Sequence, residues 1–233
     1  MSETALLAPP VAAAPPAAKD KDKPKATTFN CDGQIEILLK RENKTCMVRF
    51  PSDDELETRQ RGIRTIIHKQ GPDATVTRVE GVDEANDELL GRIRQDTGGA
   101  EFEPAEASLV IERVVRAEAD EATREGEAYA IPIKVMGGVL TTHRLRIPKE
   151  SEIRAYRKAA YCFVDKRHGK QQLKMFLGAI GDFYDKLAKE QTVAEGYDEG
   201  TPIPVCHKVA AVTELVHIMD AEGEEEDPAE NFL

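Results

Sequence analysis

At two places in the chain, apolar and polar residues alternate with a period of two on either side of a turn. Ile35, Ile37 and Leu39 alternate with polar neighbours, a polar turn follows over residues 40–44, and Cys46, Val48 and Phe50 resume the alternation. Further on, Ile131, Ile133 and Val135 precede Gly137-Gly138, and Leu145 and Ile147 follow. A half-buried strand turns every second side chain to the core, so each stretch predicts a β-hairpin. Glycine accepts positive φ freely, which makes the second turn the firmer signal. Pro132 has no amide to donate and predicts an edge strand or a distorted one.

A helix is predicted after each hairpin. Ser52-Asp53-Asp54-Glu55 is a capping-box pattern, in which the serine accepts the N3 amide and the glutamate reaches back. Leu56, Ile63, Ile66 and Ile67 then share a helical face, as do Ile153, Ala160, Phe163 and Val164 at the same spacing. Lys149 stands where Ser52 would, so the second cap is of another kind. Two further helices complete each copy. In the first they carry Val82, Ala85, Leu89, Leu90 and Ile93, then Val110, Ile111, Val114 and Val115 after Pro104. In the second they carry Leu173, Phe176, Leu177, Ile180, Phe183, Tyr184 and Leu187, then Val205, Val209, Val212, Leu215, Val216 and Met219 after Pro204. Proline suits the first turn of a helix. Residues 104–117 are also β-branched enough to form a strand.

The two halves match in kind at a set of positions, and the pattern of elements agrees better than the letters do. Val48-Arg49-Phe50-Pro51 aligns with Leu145-Arg146-Ile147-Pro148 at an offset of 97, and Glu55-Leu56, Arg61, Ile66-Ile67 and Lys69 align with Glu152-Ile153, Lys158, Phe163-Val164 and Lys166. The expected fold is therefore α+β, a tandem duplication of a β-hairpin followed by about three α-helices, with modules at 29–124 and 127–222. Two strands alone are marginal, and joining the two hairpins in one four-stranded sheet is an economical remedy. Residues 1–28 form an Ala/Pro/Lys arm and 223–233 an acidic tail, both read as disordered termini.

Composition narrows the function classes. The chain has 233 residues, no Trp and a formal net charge of −11. No apolar run approaches the ~20 residues that span a bilayer, and the start lacks the basic, apolar pattern of a secretory signal, so a cytoplasmic protein without a membrane partner is expected. Cys31, Cys46, Cys162 and Cys206 form no CxxC pair, and the five histidines show no HxxxH or HExxH spacing, so neither a disulfide framework nor a metal site is expected. No cofactor is implied.

Motifs for catalysis are missing from the sequence: there is neither GxxxxGK[ST] nor GxSxG. Asp53, Asp54 and Glu55 sit in a first helical turn, where acids complement the macrodipole. An enzyme would have to assemble scattered groups, with His143, Asp165, His168 and Cys162 as candidates. The specific surface feature is basic. Arg59, Arg61, Arg64, His68 and Lys69 cluster in the first copy; Arg154, Arg157, Lys158, Lys166, Arg167, Lys170 and Lys174 cluster in the second, interleaved with Tyr156 and Tyr161. Such a surface could hold phosphates, but the net charge opposes nucleic acid at long range. It could equally receive acidic segments, the chain's own 220–230 run or that of a neighbouring copy. That run carries seven carboxylates and no base, and leads to Phe232, an apolar docking candidate.

Arg49-Phe50-Pro51-Ser52-Asp53-Asp54-Glu55-Leu56 with Arg59-Gln60-Arg61, and Gly200-Thr201-Pro202-Ile203-Pro204-Val205-Cys206-His207-Lys208 before an acidic end, resemble small accessory proteins of bacteriophage or prophage morphogenesis, including tail-assembly chaperones. The resemblance implies a non-catalytic assembly role, a protein partner among virion or tail proteins, and incorporation into a virion as one destination. Self-association is a further expectation, and a nucleic-acid-binding regulator or an enzyme with a site between the modules are the alternatives.

Overall fold

A computed structural model describes residues 28–40, 43–69, 75–96, 99–166, 170–188 and 194–225. The arm and the end of the tail, with Arg167, His168 and Phe232, lie outside the described residues. The fold mixes interleaved α and β elements throughout the described residues. In the first half, strands β1 (Gln34–Leu39) and β2 (Lys44–Arg49) form an antiparallel hairpin, with Asn43 in the left-handed region at its turn. Helix α1 (Asp53–Gly62) follows, with the Ser52/Glu55 capping box in place. Strands β3 (Arg64–Lys69) and β4 (Thr75–Glu80) make a second hairpin, and helices α2 (Val82–Ile93) and α3 (Pro104–Val114) close the half.

Two short strands, β5 (Ala117–Ala119) and β6 (Thr123–Glu125), lead into the second half. There the order recurs: β7 (Ala128–Val135), β8 (Leu140–Arg146), α4 (Glu150–Ala160), β9 (Tyr161–Lys166), β10 (Lys170–Met175), α5 (Leu177–Ala188), then short β11 (Ala194–Glu195) and α6 (Val205–Glu225). Three helices follow each first hairpin, as expected, but a second hairpin separates the first helix from the next. Ile63, Ile66, Ile67, Phe163 and Val164 therefore lie beyond α1 and α4, and Leu173 belongs to β10 rather than to a helix. The predicted faces skipped i+3 and i+4 in the first copy. The β-branched run Ile63-Arg-Thr-Ile-Ile67 leaves a helix readily once Gly62 ends it. Residues 104–114 are helical, and the strand signal in that segment is expressed only from Ala117.

The sheets correct a second expectation. The first hairpins do not share a sheet: β1–β2 stands alone, while β7–β8 sits in a five-stranded sheet of order β11-β8-β7-β5, with β6 also on β7. The second hairpins join instead, in the order β4-β3-β10-β9, through the antiparallel pair β3–β10. Pro132 lies in an interior strand. Its carbonyl accepts from the Asp120 amide at 2.9 Å, where β5 ends and β6 has not begun. A residue's amide and carbonyl point to the same neighbour, so the missing donor falls at that gap.

One core serves both halves. Leu39, Val48, Ile93 and Ile111 from the first pack in the same buried cluster as Ile131, Ile133, Leu145, Ile180, Leu187 and Leu215 from the second. At each hairpin-to-helix junction the same clamp appears. The Arg49 guanidinium donates to both carboxylate oxygens of Glu55 (2.6 and 2.8 Å) and to the Phe50 carbonyl, while the Ser52 amide donates to Glu55 at 2.9 Å. Arg146 does the same to Glu152 (2.8 and 2.9 Å) and Ile147, with the Lys149 amide at 2.9 Å. Bidentate arginine pairing fixes the angle between strand and helix. It also holds Glu55 down at about 2 and Glu152 well below the usual carboxylate range.

Candidate interaction surface

The β4-β3-β10-β9 sheet differs from the other two. None of its strand side chains, among the described residues, is buried. It meets the body at its base, where α4 runs into β9 and the Tyr161 ring stands edge-on to Tyr156. From there both faces extend into solvent.

Directly opposed residues share a face, so the register sorts the two faces. One carries Val79 opposite Thr65, Leu173 between Thr65 and Phe163, and Ile67 between Thr77 and Gln171. Phe163 is 58% exposed and Val79 53%. The other face carries Arg78 opposite Ile66, and Gln172 between Ile66 and Val164. Arg64 opposite Glu80, and Lys174 opposite Cys162, lie at its base. The register also sets Lys166 and Lys170 on this face, in line with His68. The sheet thus has two unlike faces while lying outside the core: one carries an apolar patch, with the Asp165 and Lys69 positions toward its tip, and the other is basic, with Val76 and Val164 at its two edges and Ile66 on an inner strand.

The predicted basic residues divide. Arg64 and Lys174 share the basic face, and Lys166 and Lys170 take register positions on it, although all four are strand residues rather than helical ones. Arg61 borders a cleft of about 360 Å³ between α1 and β10, with Gln60, Ile63, Gln172, Lys174 and Phe176. It also pairs with Glu57 at 2.6 Å. Arg59 is not part of a surface patch. Its Nε donates to Asn86 at 2.5 Å, Asn86 donates to Ser108 at 3.0 Å, and Ser108 donates to Asp83 at 2.7 Å. This network ties α1 to α2 and α3, and burial lowers the arginine's pKa. Arg154 pairs with Glu150 in its own helix. Lys158 is exposed on α4. Arg157 donates to both oxygens of Asp220 at 2.5 and 2.6 Å, so a basic helix does meet the start of the acidic run.

The proposed catalytic cluster separates. Cys162 is exposed on the four-stranded sheet, the side chain of Asp165 lies outside the described residues, and His143 is fully buried in the five-stranded sheet. His143 instead belongs to a chain of polar groups that the sequence did not reveal. Thr141 Oγ1 donates to the Ile133 carbonyl at 3.1 Å, so toward His143 Nε2 (3.2 Å) it can only accept. Nε2 therefore carries the proton, and Tyr184 donates to Nδ1 at 2.7 Å. Tyr197 accepts from Nε2 at 3.2 Å and donates to His207 Nδ1 at 2.9 Å. The last proton sits on His207 Nε2, which is buried and has no hydrogen-bond partner. Its ring packs edge-on against Phe29 (4.8 Å) and Phe50 (5.8 Å). Burial pulls His143 down to about 4 and His207 to about 3, so both rings are neutral. His207 shares the buried face of α6 with Ala211 and Leu215, at i, i+4 and i+8. A histidine inside that apolar stripe was the available signal.

Gly196 brings Tyr197 into this chain. Its φ is +87°, and a Cβ there would lie 2.6 Å from the Leu140 carbonyl oxygen, so only glycine fits. A cleft of about 470 Å³ is lined by Cys31, Phe50, Ser52, Asp53 and Pro202–Pro204. Asp53 is occupied at its edge, accepting from the Val205 amide at 2.8 Å. Among the described residues no three His, Cys, Asp or Glu groups are placed to hold a metal ion, and no helix is long and apolar enough to cross a membrane. Comparison of the chain with protein-family models, with curated proteins and with solved structures gives no match.

Proposed function

We propose that this chain is a tandem duplication acting as a non-catalytic binding and assembly protein, and that its contact surface is the apolar face of the β4-β3-β10-β9 sheet. The recurring element order and the paired Arg–Glu clamps support the duplication. The supporting observation for the function is Phe163, more than half exposed beside Leu173, on a sheet face outside the core that also carries Ile67 and, at its far edge, Val79. An apolar face of this kind is unusual on a protein that works alone. The partner it fits is a protein surface of the same apolar character, with a second copy as the simplest source. The resemblance to morphogenesis proteins extends the reading to virion or tail components.

Burying a phenylalanine contributes about 2 kcal/mol. Phe163→Asp should therefore weaken self-association by roughly thirtyfold or more. Sedimentation equilibrium over a concentration series reads this directly. The melting temperature should stay within a few degrees, because the side chain is outside the core. A wild-type chain that stays monomeric throughout the series, or a variant that associates equally well, would reject this face.

The basic face gives specific support to one other reading, nucleic-acid binding. That reading requires an affinity that falls steeply with salt and weakens in Arg64→Glu.

A further inference from the structure

The basic face has an occupant written into the chain itself. From the geometry we infer that residues 226–233 dock on the Arg64/Lys174 face of the four-stranded sheet within the same molecule. The inference rests on that face and not on what binds the apolar face behind it.

Three observations converge. The first is position. The Arg157–Asp220 pair fixes α6 beside the last turn of α4, three residues before α4 ends and β9 begins. Helix α6 stops at Glu225, about 7.5 Å further along its axis. The eight residues beyond it reach about 26 Å when extended. The sheet is about 14 Å across from β4 to β9, less than that reach.

The second is charge. Arg64, Arg78 and Lys174 share one face, with Lys166 and Lys170 at register positions on the same side. Glu80 is the acid of that face among the described side chains, and it pairs with Arg78 at 3.1 Å. The segment that follows α6 is Glu226-Asp227-Pro228-Ala229-Glu230-Asn231-Phe232-Leu233. It continues a run with seven carboxylates and no base.

The third is apolar match. Val76 and Val164 are exposed at the two edges of the basic face, and Ile66 is half-buried on the strand beside Val76. Phe232-Leu233 supplies an apolar pair that could cover one of these exposed valines. An acidic segment with an apolar end is complementary to a face that carries both cations and exposed aliphatic side chains.

Cys162 provides the probe. It is exposed, stands opposite Lys174, and shares the face. Its alkylation by iodoacetamide would be followed peptide by peptide in three chains: the full chain, a chain ending at Glu225, and the full chain carrying Arg64→Glu with Lys174→Glu. Docking slows Cys162 in the full chain at least severalfold relative to the shortened one. The charge reversal, or 1 M salt, restores the faster rate. The protection is independent of protein concentration. Equal rates in the full and shortened chains overturn the inference, and if an added oligonucleotide then slows the reaction, nucleic acid is the occupant. Protection that survives both charge reversal and salt also overturns it. Protection that fades on dilution overturns the intramolecular form and assigns the segment to a neighbouring copy.

Discussion

Acidification from pH 7.5 to pH 5 should destabilise this protein by roughly 4 kcal/mol, well before its carboxylates titrate. The cause is the buried pair His143 and His207, held at about 4 and about 3 against an ordinary value of 6.5. In the unfolded chain both rings take a proton as the pH falls through 6.5. In the folded chain neither does so until much lower pH. The unfolded state therefore binds more protons throughout that window, and stability falls with pH. At pH 5 each ring contributes about 2 kcal/mol of loss. For a chain of this size that lowers the melting temperature by roughly 10 °C. The lowered carboxylates, Glu55 and Glu152, add their own loss only below about 4.5. Thermal melts at half-unit pH steps will separate the two regimes. His207→Phe removes one of the two rings and should halve the slope between pH 6.5 and 5, whatever it does to stability at neutral pH. A melting temperature flat across that interval would mean that the folded chain accepts these protons without penalty.

The second large effect is expected at the clamps, and it should be unequal. Glu152 accepts from three residues: both terminal nitrogens of Arg146, the Lys149 amide, and Lys186 at 2.6 Å. Its side chain is 15% exposed and that of Arg146 17%. Glu152→Ala leaves a largely buried guanidinium without this carboxylate and opens the cap of α4. The expected cost is roughly 3 kcal/mol. Glu55→Ala removes the equivalent carboxylate, but the Arg49 side chain is 37% exposed and water can take over. About 1 kcal/mol is expected there. Urea denaturation of the two variants gives the comparison. Equal losses would show that exposure of the arginine does not set the value of the clamp.

Much of this architecture was written in local signals. The match of Val48-Arg49-Phe50-Pro51 to Leu145-Arg146-Ile147-Pro148 marks two equivalent junctions, and the structure places an Arg–Glu clamp at each. The Ser52/Glu55 capping box and Pro104 in the first turn of α3 were legible because they act within one turn. The second hairpins were not. Lys170-Gln-Gln-Leu-Lys-Met175 shows little apolar alternation, because its sheet has no core to face, and core burial is what writes that alternation. Ile66-Ile67 and Phe163-Val164 could be fitted to a helix for the same reason. Of the candidate contact residues, Arg64, Lys166 and Lys174 were singled out by charge alone, and the strand register sets them on one sheet face. Arg59 was misplaced, since its role depends on Asn86 and Ser108, which only folding brings to it. Tyr184, Tyr197 and His207 come from three separate segments and meet His143 only in the assembled core.

The β3–β10 seam also bears on how the chain is made. Thr65 pairs with Leu173, a partner about a hundred residues later. During synthesis, the first half can complete α1, α2, α3 and its own hairpins while the β3 edge still waits for β10. That edge is an open template for strand addition until the second half emerges. Refolding should therefore show a late phase, reported by protection of the β3 amides, that is slower than closure of either hairpin. A neighbouring nascent chain could supply β10 first, so the join that unites the two halves in one molecule is also the step most prone to exchange between molecules.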